Sequence, residues 1–516
     1  MPVRSNPTGA SIAPSRALLL LLIVLAFAFQ GSRGLWEPDE GFYGAAAAEM
    51  FDRGEWLVPT LEGRPFLDKP PLVYWGGIVG MHLLGRNEWG LRFPLAVALV
   101  LAALAVGGIA RTFWGKEPSR VAALAYATSL GPFLAANVLT PDTLLAATVA
   151  GFYYGYVRAE AAASSRGRVT GWLLAGLAAG LGLLAKGPAL LLWAAPVPVH
   201  LLLRRRLLAA LRGPGPWLGA IVALSVGLPW FLWISRTLPG AWSYILDSEV
   251  VGRLATGTYQ RNAGTFGGFK VYLPTLLALS LPWGPIALYV WRRRRGAGAA
   301  SPAVDREGLR PRALLWLWVF LPLAVLWAAS SRLPLYALPM SGALALAAAR
   351  ALSAGAEGRP WRGFTRWRPA LLVWCGFLLA IKGGAALWPA DRDSRAFARE
   401  VAAAESAAGG GYFDIVAVDA DRRALAFYLR TRVELVSGFH DEYPFYARLE
   451  HQAEEIEEAR TSGEATLFIF QREHLDLAHA MLAAAGLACE DAASSSRRHA
   501  IVVCRGGSGR STSPDG

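Results

Sequence analysis

Long apolar runs recur along this chain from Ala17 to Trp388, each of about 15 to 21 residues and so near the length needed to cross a bilayer core. They fall at Ala17–Gln30, Phe93–Ala110, Val121–Val138, Thr143–Val157, Gly171–Ala185 and Pro188–Leu203, then at Trp217–Ile234, Val271–Trp291, Ala313–Ala329, Leu333–Ala349 and Ala370–Trp388. Prolines inside several of them are tolerated where neighbouring helices satisfy the freed backbone groups. Only 17% of the 516 residues are charged, against about a quarter in a soluble domain. The expected fold class is an α-helical polytopic membrane protein of about eleven transmembrane helices, with interfacial helices.

Charge placement sets the topology. The net charge of +13 would suit a nucleic-acid binder if the basic residues formed a binding face. Instead Arg204-Arg205-Arg206 and Arg292 to Arg295 follow apolar runs immediately, as cytoplasmic anchors do. Nucleic acid is therefore excluded as a partner. Pro71–Leu84 is apolar but short and interrupted by Gly76, Gly77 and Gly80. If it lies flat, every dense basic cluster, Arg350/Arg362/Arg366/Arg368 included, falls on the cytoplasmic side; if it spans, all of them face outward. The positive-inside rule selects the flat arrangement. The first run serves as a signal anchor, although Ala26-Phe27-Ala28 also fits a cleavage site; neither reading changes the downstream sidedness.

This topology predicts a membrane body over residues 1–388 with outer loops at 31–84 and 235–270. A soluble domain follows over 389–505, with a disordered tail at 506–516. Strand-like runs (Phe413–Val418, Ala465–Phe470, Ala500–Val503) alternate with helix-like ones (Arg392–Ala408, Ala447–Arg460, Leu475–Ala485), the signature of a small α/β domain. Of three cysteines, Cys375 lies in an apolar run, while Cys489 and Cys504 flank the last strand. In an oxidising compartment the latter two are able to pair. No Cys/His spacing suggests zinc.

Ionisable residues gather at the outer ends. The first outer loop carries Asp39 and Glu40, then Tyr43, and later Asp68-Lys69-Pro70. Adjacent carboxylates here suit proton abstraction from an acceptor hydroxyl, or simply the positive end of a helix dipole. Asp142, Lys186, Arg332 and Tyr336 fall at other outer turns, and Glu249 and Arg253 in the second outer loop. Ionisable groups at membrane depth are functional candidates by default. The chain has five lysines against 46 arginines, yet Lys69 and Lys186 both stand at these turns. A compact point charge suits a phosphate; the structural alternative is snorkelling to the interface. No Gly-rich phosphate loop or Rossmann fingerprint is present.

Taken in order, Pro38-Asp39-Glu40-x-x-Tyr43, Asp68-Lys69-Pro70, Pro141-Asp142, Ala185-Lys186-Gly187-Pro188, Glu249-x-x-x-Arg253 and Arg332-Leu333-Pro334-Leu335-Tyr336-x-Leu338-Pro339 resemble the GT-C glycosyltransferases of the protein O-mannosyltransferase type. The bacterial branch containing the lipid A aminoarabinose transferase is the most similar. The spacings from Asp39 to Lys69 and to Asp142, 30 and 103 residues, also resemble that branch.

The resemblance implies an integral membrane glycosyltransferase of a bacterial inner membrane, working on the periplasmic face. It would move a hexosyl or pentosyl group, with inversion, from a polyprenyl-phosphate (undecaprenyl phosphate) donor to a lipid A-like glycolipid or a protein. Asp39, Glu40 and Asp142 are then the catalytic candidates, and Lys69, Lys186, Arg253, Arg332 and Tyr336 the donor-phosphate contacts. Tyr43, Asp68 and Glu249 shape the site. Val250 and Asp68 stand where the family often places His and Glu, so a divalent metal has no assigned ligand set. A multi-span lipid or solute transporter is the competing class, although transport charges belong at mid-membrane.

Overall fold

The computed structural model describes residues 15–245, 261–296, 308–353, 368–388, 391–409, 414–420, 422–431, 433–437, 450–461 and 465–506. Glu249, Val250, Arg253, Arg362, Arg366 and the tail from residue 507 lie outside the described residues. Two compact units divide the chain. One gathers Met1–Gln30, Pro94–Asn137 and Pro141–Lys382; the other gathers Gly31–Phe93, Val138–Thr140 and Gly383–Gly516.

The first unit is helical. The apolar runs in it are mainly helical over their described residues, with breaks such as Ser129 and Leu281–Pro282. Among the described residues five helices are long and apolar enough to cross a membrane, namely Glu88–Trp114, Ser165–Lys186, Pro214–Thr237, Pro311–Ala328 and the stretch Pro334–Ser353. The pair Gly267–Ser280 and Trp283–Arg293, bent by 77°, makes up to six. The remaining runs give shorter or broken helices, such as Arg16–Phe27 and Ala189–Ala194 with Pro196–Leu203. Small residues bring the long helices together: a Cβ at Gly176 would lie 2.1 Å from the Gly219 carbonyl oxygen. Such close backbone approach is how helices pack where lipid removes the hydrophobic drive between them.

The second unit contains the first outer loop and the C-terminal sheet. The helix Asp39–Arg53 begins with two carboxylates and stops at Gly54, whose φ of +66° suits glycine. A short hairpin, β1 (Thr60–Leu61) and β2 (Arg64–Pro65), follows. The helix Leu72–Leu84 spans only 13 residues. The sheet comprises β3 (Asp414–Val418), β4 (Val433–Ser437), β5 (Glu450–His451), β6 (Ala465–Gln471), β7 (Leu487–Ala492) and β8 (His499–Gly506), in the order β5-β4-β3-β6-β8-β7. β3, β4, β5 and β6 run parallel to one another, while β8 pairs antiparallel with β6 and β7 antiparallel with β8.

Both faces of this sheet are covered. Ile415, Ala417, Leu467 and Ile469 pack with Phe397 and Val401 of the helix Ser394–Ala407. Val416, Val418, Phe468 and Phe470 pack with Ala478 and Leu482 of the helix Leu475–Ala484. The alternation follows from the two-residue strand period, and burial of both faces from the parallel arrangement. Cys489 and Cys504 are register partners across β7 and β8 and form a disulfide.

Candidate functional site

Asp39 and Glu40 are neighbours in sequence with different fates. Asp39 stands exposed in the first turn of its helix. Glu40 is fully buried. Its carboxylate meets Arg92 Nε at 2.8 Å and Nη2 at 2.9 Å, and Arg33 Nη1 at 2.5 Å. It also accepts the backbone N–H groups of Trp36 and Leu139, each at 2.9 Å. Arg92 donates further to the carbonyls of Arg33 and Gly34, at 3.0 and 2.8 Å. Burial alone would raise the Glu40 pKa, but Arg92 and then Arg33 overcome it and hold the carboxyl at about 2. Glu40 is thus a saturated anion that fixes the loop entering the helix, and Asp39 is the exposed carboxylate of the same turn.

The same unit holds the first lysine cluster. Lys69 Nζ lies 2.8 Å from Asp68 Oδ1 and donates to the Asp68 carbonyl at 2.7 Å. Tyr43 Oη donates to the other carboxylate oxygen at 3.2 Å. Lys69 is buried while Asp68 keeps partial exposure, so the pair presents a held cation rather than a snorkelling one.

The second lysine cluster is assembled in the first unit from three elements. Asp142 lies in the first turn of the helix Pro141–Ala161 and Lys186 in the last turn of Ser165–Lys186. Lys186 Nζ is 2.5 Å from Asp142 Oδ1 and 4.6 Å from the ring centroid of Tyr336, on the 3-10 turn Pro334–Met340. A cation over an aromatic face is attracted by the ring quadrupole. Nearby in sequence, Arg332 is engaged differently. Its Nε donates to the Trp327 carbonyl at 3.1 Å, and its Nη1 to the carbonyls of Asn262 and Gly264 at 3.0 and 3.1 Å.

The structure therefore joins Tyr43 with Asp68 and Lys69, and Asp142 with Lys186 and Tyr336. It separates Asp39 from Glu40 in burial and places Arg332 on backbone carbonyls. Glu249 and Arg253 lie outside the described residues. Among the described residues no three His, Cys, Asp or Glu side chains gather as a metal site.

Sequence reasoning missed the Arg33–Glu40–Arg92 clamp and buried Glu37. Arg92 precedes an apolar run, where an arginine reads as an anchor. Glu37 Oε1 accepts the Ser394 hydroxyl at 2.9 Å and the Ala424 N–H at 2.8 Å. Burial, outweighing those hydrogen bonds and the charges of Arg423 and Arg422, pushes its carboxyl up to about 7.

Residues 68–233 match the family model described as dolichyl-phosphate-mannose-protein mannosyltransferase. A protein of Edwardsiella ictaluri named undecaprenyl phosphate-alpha-4-amino-4-deoxy-L-arabinose arabinosyl transferase is 33% identical over 327 residues, covering 61% of this chain and 55% of its own. A Sodalis glossinidius protein of the same name, numbered 1, is 34% identical over 337 residues, covering 64% and 57%. The chain thus spans a little over half the length of these curated relatives. The crystal structure of ArnT from Cupriavidus metallidurans bound to undecaprenyl phosphate shares the fold, with a TM-score of 0.76 at 21% identity over 94% of this chain and 97% of that one. The resemblance to GT-C glycosyltransferases of the protein O-mannosyltransferase type, on the branch of the aminoarabinose transferases, holds in sequence and in fold.

Proposed function

We propose that this multi-span membrane chain, which carries a domain of the protein mannosyltransferase family, transfers a sugar from a polyprenyl-phosphate donor to a lipid A-like glycolipid. The observation that carries the reading is the pair of held lysines, each set by a carboxylate with a tyrosine beside it, at two motifs of that family. A carboxylate-fixed ammonium needs no reorganisation when negative charge develops on a leaving phosphate.

In the step we infer, an acceptor hydroxyl oxygen forms its bond to the anomeric carbon from the face opposite the phosphate. The anomeric C–O bond to phosphate breaks and its electron pair leaves with the polyprenyl phosphate. Asp39 takes the hydroxyl proton, since Glu40 is held ionised and fully engaged by its arginines. Lys69 contacts the departing phosphate, joined by Arg253 on the strength of its motif. Asp142 and Tyr336 position Lys186. The positive-inside arrangement of the basic loops supports the periplasmic side of a bacterial inner membrane for this chemistry, with residues 389–505 as a domain on that side.

The test is transfer of radiolabelled sugar from purified polyprenyl-phosphate sugars, with a glycolipid acceptor in one arm and membrane protein in the other. Asp39→Asn is expected to lower the rate by about 10²–10⁴ with unchanged thermal unfolding, and Lys186→Met by about 10²–10³ in protein that stays folded at the assay temperature. Undiminished transfer by Asp39→Asn, or no transfer by folded wild type from any polyprenyl donor, overturns the proposal. Labelling of the protein arm alone reassigns the acceptor.

A further inference from the structure

The second unit contains a cavity of about 480 Å³, ligand-sized by the usual range of binding pockets and remote in composition from the lysine clusters. Five guanidiniums and the His499 imidazole line it, against four carboxylates that include Glu37. The decisive side chain is Arg422, which is 1% exposed. Its Nη2 donates to the Asp391 carbonyl at 2.6 Å and meets His499 Nδ1 at 2.9 Å. Its Nε and Nη1 find no hydrogen-bond partner among the described residues. Phe397 packs under the guanidinium, 4.4 Å from ring centroid to Cζ, and fixes its plane. Buried N–H groups without acceptors are costly and rare in folded proteins.

The lining carries a second unpartnered polar group. Glu37 Oε2 is also buried without a partner among the described residues. The turn that supplies the remaining charge is built for display. Arg472 donates to the carbonyls of Ser496 and Ser494, at 2.7 and 3.0 Å. The Ser496 hydroxyl takes the N–H groups of Arg498 and His499, at 3.3 and 3.1 Å. Arg497 and Arg498 are left exposed at the rim.

From this geometry we propose that the cavity at Arg422, Arg497 and Arg498 is a phosphate-binding subsite, taking a phosphate group borne on a headgroup or free in solution. Phosphate matches guanidinium donors in charge and in number of acceptor oxygens. Glu37 Oε2 is placed to accept a neighbouring hydroxyl.

Binding is measured on the purified full-length chain in nanodiscs with no sugar donor present, so its outcome is independent of the transferase reading. One arm titrates inorganic phosphate by calorimetry. The other compares vesicles containing a phosphorylated glycolipid with vesicles of its dephosphorylated form. Wild type should bind saturably in at least one arm. Arg422→Lys and the double variant Arg497→Ala/Arg498→Ala should each bind about tenfold to a hundredfold more weakly. The rim variant guards against misfolding at the buried position, with thermal unfolding as the control. Binding in the first arm alone assigns free phosphate, and phosphate-dependent binding in the second assigns a headgroup. Absence of saturable binding in both arms, or wild-type affinity in the folded rim variant, overturns the subsite.

Discussion

The loop entering the helix Asp39–Arg53 is held in two regions, one around Glu40 and one around Glu37. The two carboxyls are three residues apart and nearly equally buried, yet their pKa values stand at about 2 and about 7. Burial penalises both charges. The difference is that two guanidiniums bond Glu40 directly, whereas Glu37 receives a hydroxyl and one amide on a single oxygen. A buried carboxylate next to hydrogen-bonded arginines is a structural anion; one next to arginines that do not reach it is a group with capacity to spare.

Breaking the Glu40 clamp should give the largest effect on stability. Arg92→Met leaves a buried anion with one guanidinium partner, and removal of one member of such a pair costs about 3–5 kcal/mol. The readout is thermal or denaturant unfolding in detergent. Adding Glu40→Gln to Arg92→Met should recover part of the loss, because the uncompensated charge is then gone. A double variant less stable than Arg92→Met would mean that Arg33 and the Trp36 and Leu139 N–H groups still compensate the Glu40 charge when Arg92 is gone.

The Glu37 region sharpens the comparison through pH. Its folded pKa is raised from 4.5 to about 7, so between those values the folded state binds more protons than the unfolded state. Stability contributed by Glu37 is therefore full below about pH 4.5 and falls as pH rises to about 7, by roughly 3 kcal/mol. Glu37→Gln should flatten this slope and leave the variant more stable than wild type at pH 8, with the two alike at pH 4. Glu40 has the opposite sign: its contribution is present above pH 4.5 and lost as pH falls towards about 2. A wild-type profile with no decline between pH 5 and 7, unchanged in Glu37→Gln, would contradict the assignment.

How much of this was legible follows the same physical divide. The helical character of the apolar runs and the strands near Phe413–Val418, Ala465–Phe470 and Ala500–Val503 were readable, because apolar runs and strand periodicity are local signals, whereas of about eleven expected spans five or six among the described residues are long and apolar enough to cross a membrane. Lys69 beside Asp68 was readable for the same reason. Lys186, Asp142 and Tyr336 were flagged singly by membrane depth and motif, but their contact joins positions 44 and 150 residues from Lys186 along the chain, beyond any local pattern. The Glu40 clamp was hidden because Arg92, 52 residues away, looks like an ordinary anchor from its neighbours. β4 and β7 escaped detection: Val433-Glu434-Leu435-Val436-Ser437 is short, and Leu487-Ala488-Cys489-Glu490-Asp491-Ala492 is polar at an edge. Glu37 carried no signal, since its burial depends on Ser394 and Ala424, more than 350 residues later.

The smallest effect is the most discriminating. Ser394 begins the helix Ser394–Ala407 and is fully buried, so Ser394→Ala removes the hydroxyl without exposing new surface. That hydroxyl donates to Glu37 Oε1 and favours the ionised carboxylate, holding the pKa below where burial alone would place it. Its loss should cost about 1 kcal/mol at pH 8 and less at pH 5, where the carboxyl is already protonated. The decline of stability with pH should also continue to a higher pH than in wild type. Unfolding at the two pH values decides the matter. A cost equal at both would make the hydroxyl a packing group, and the raised Glu37 carboxyl would then owe its state to burial and the Ala424 N–H alone.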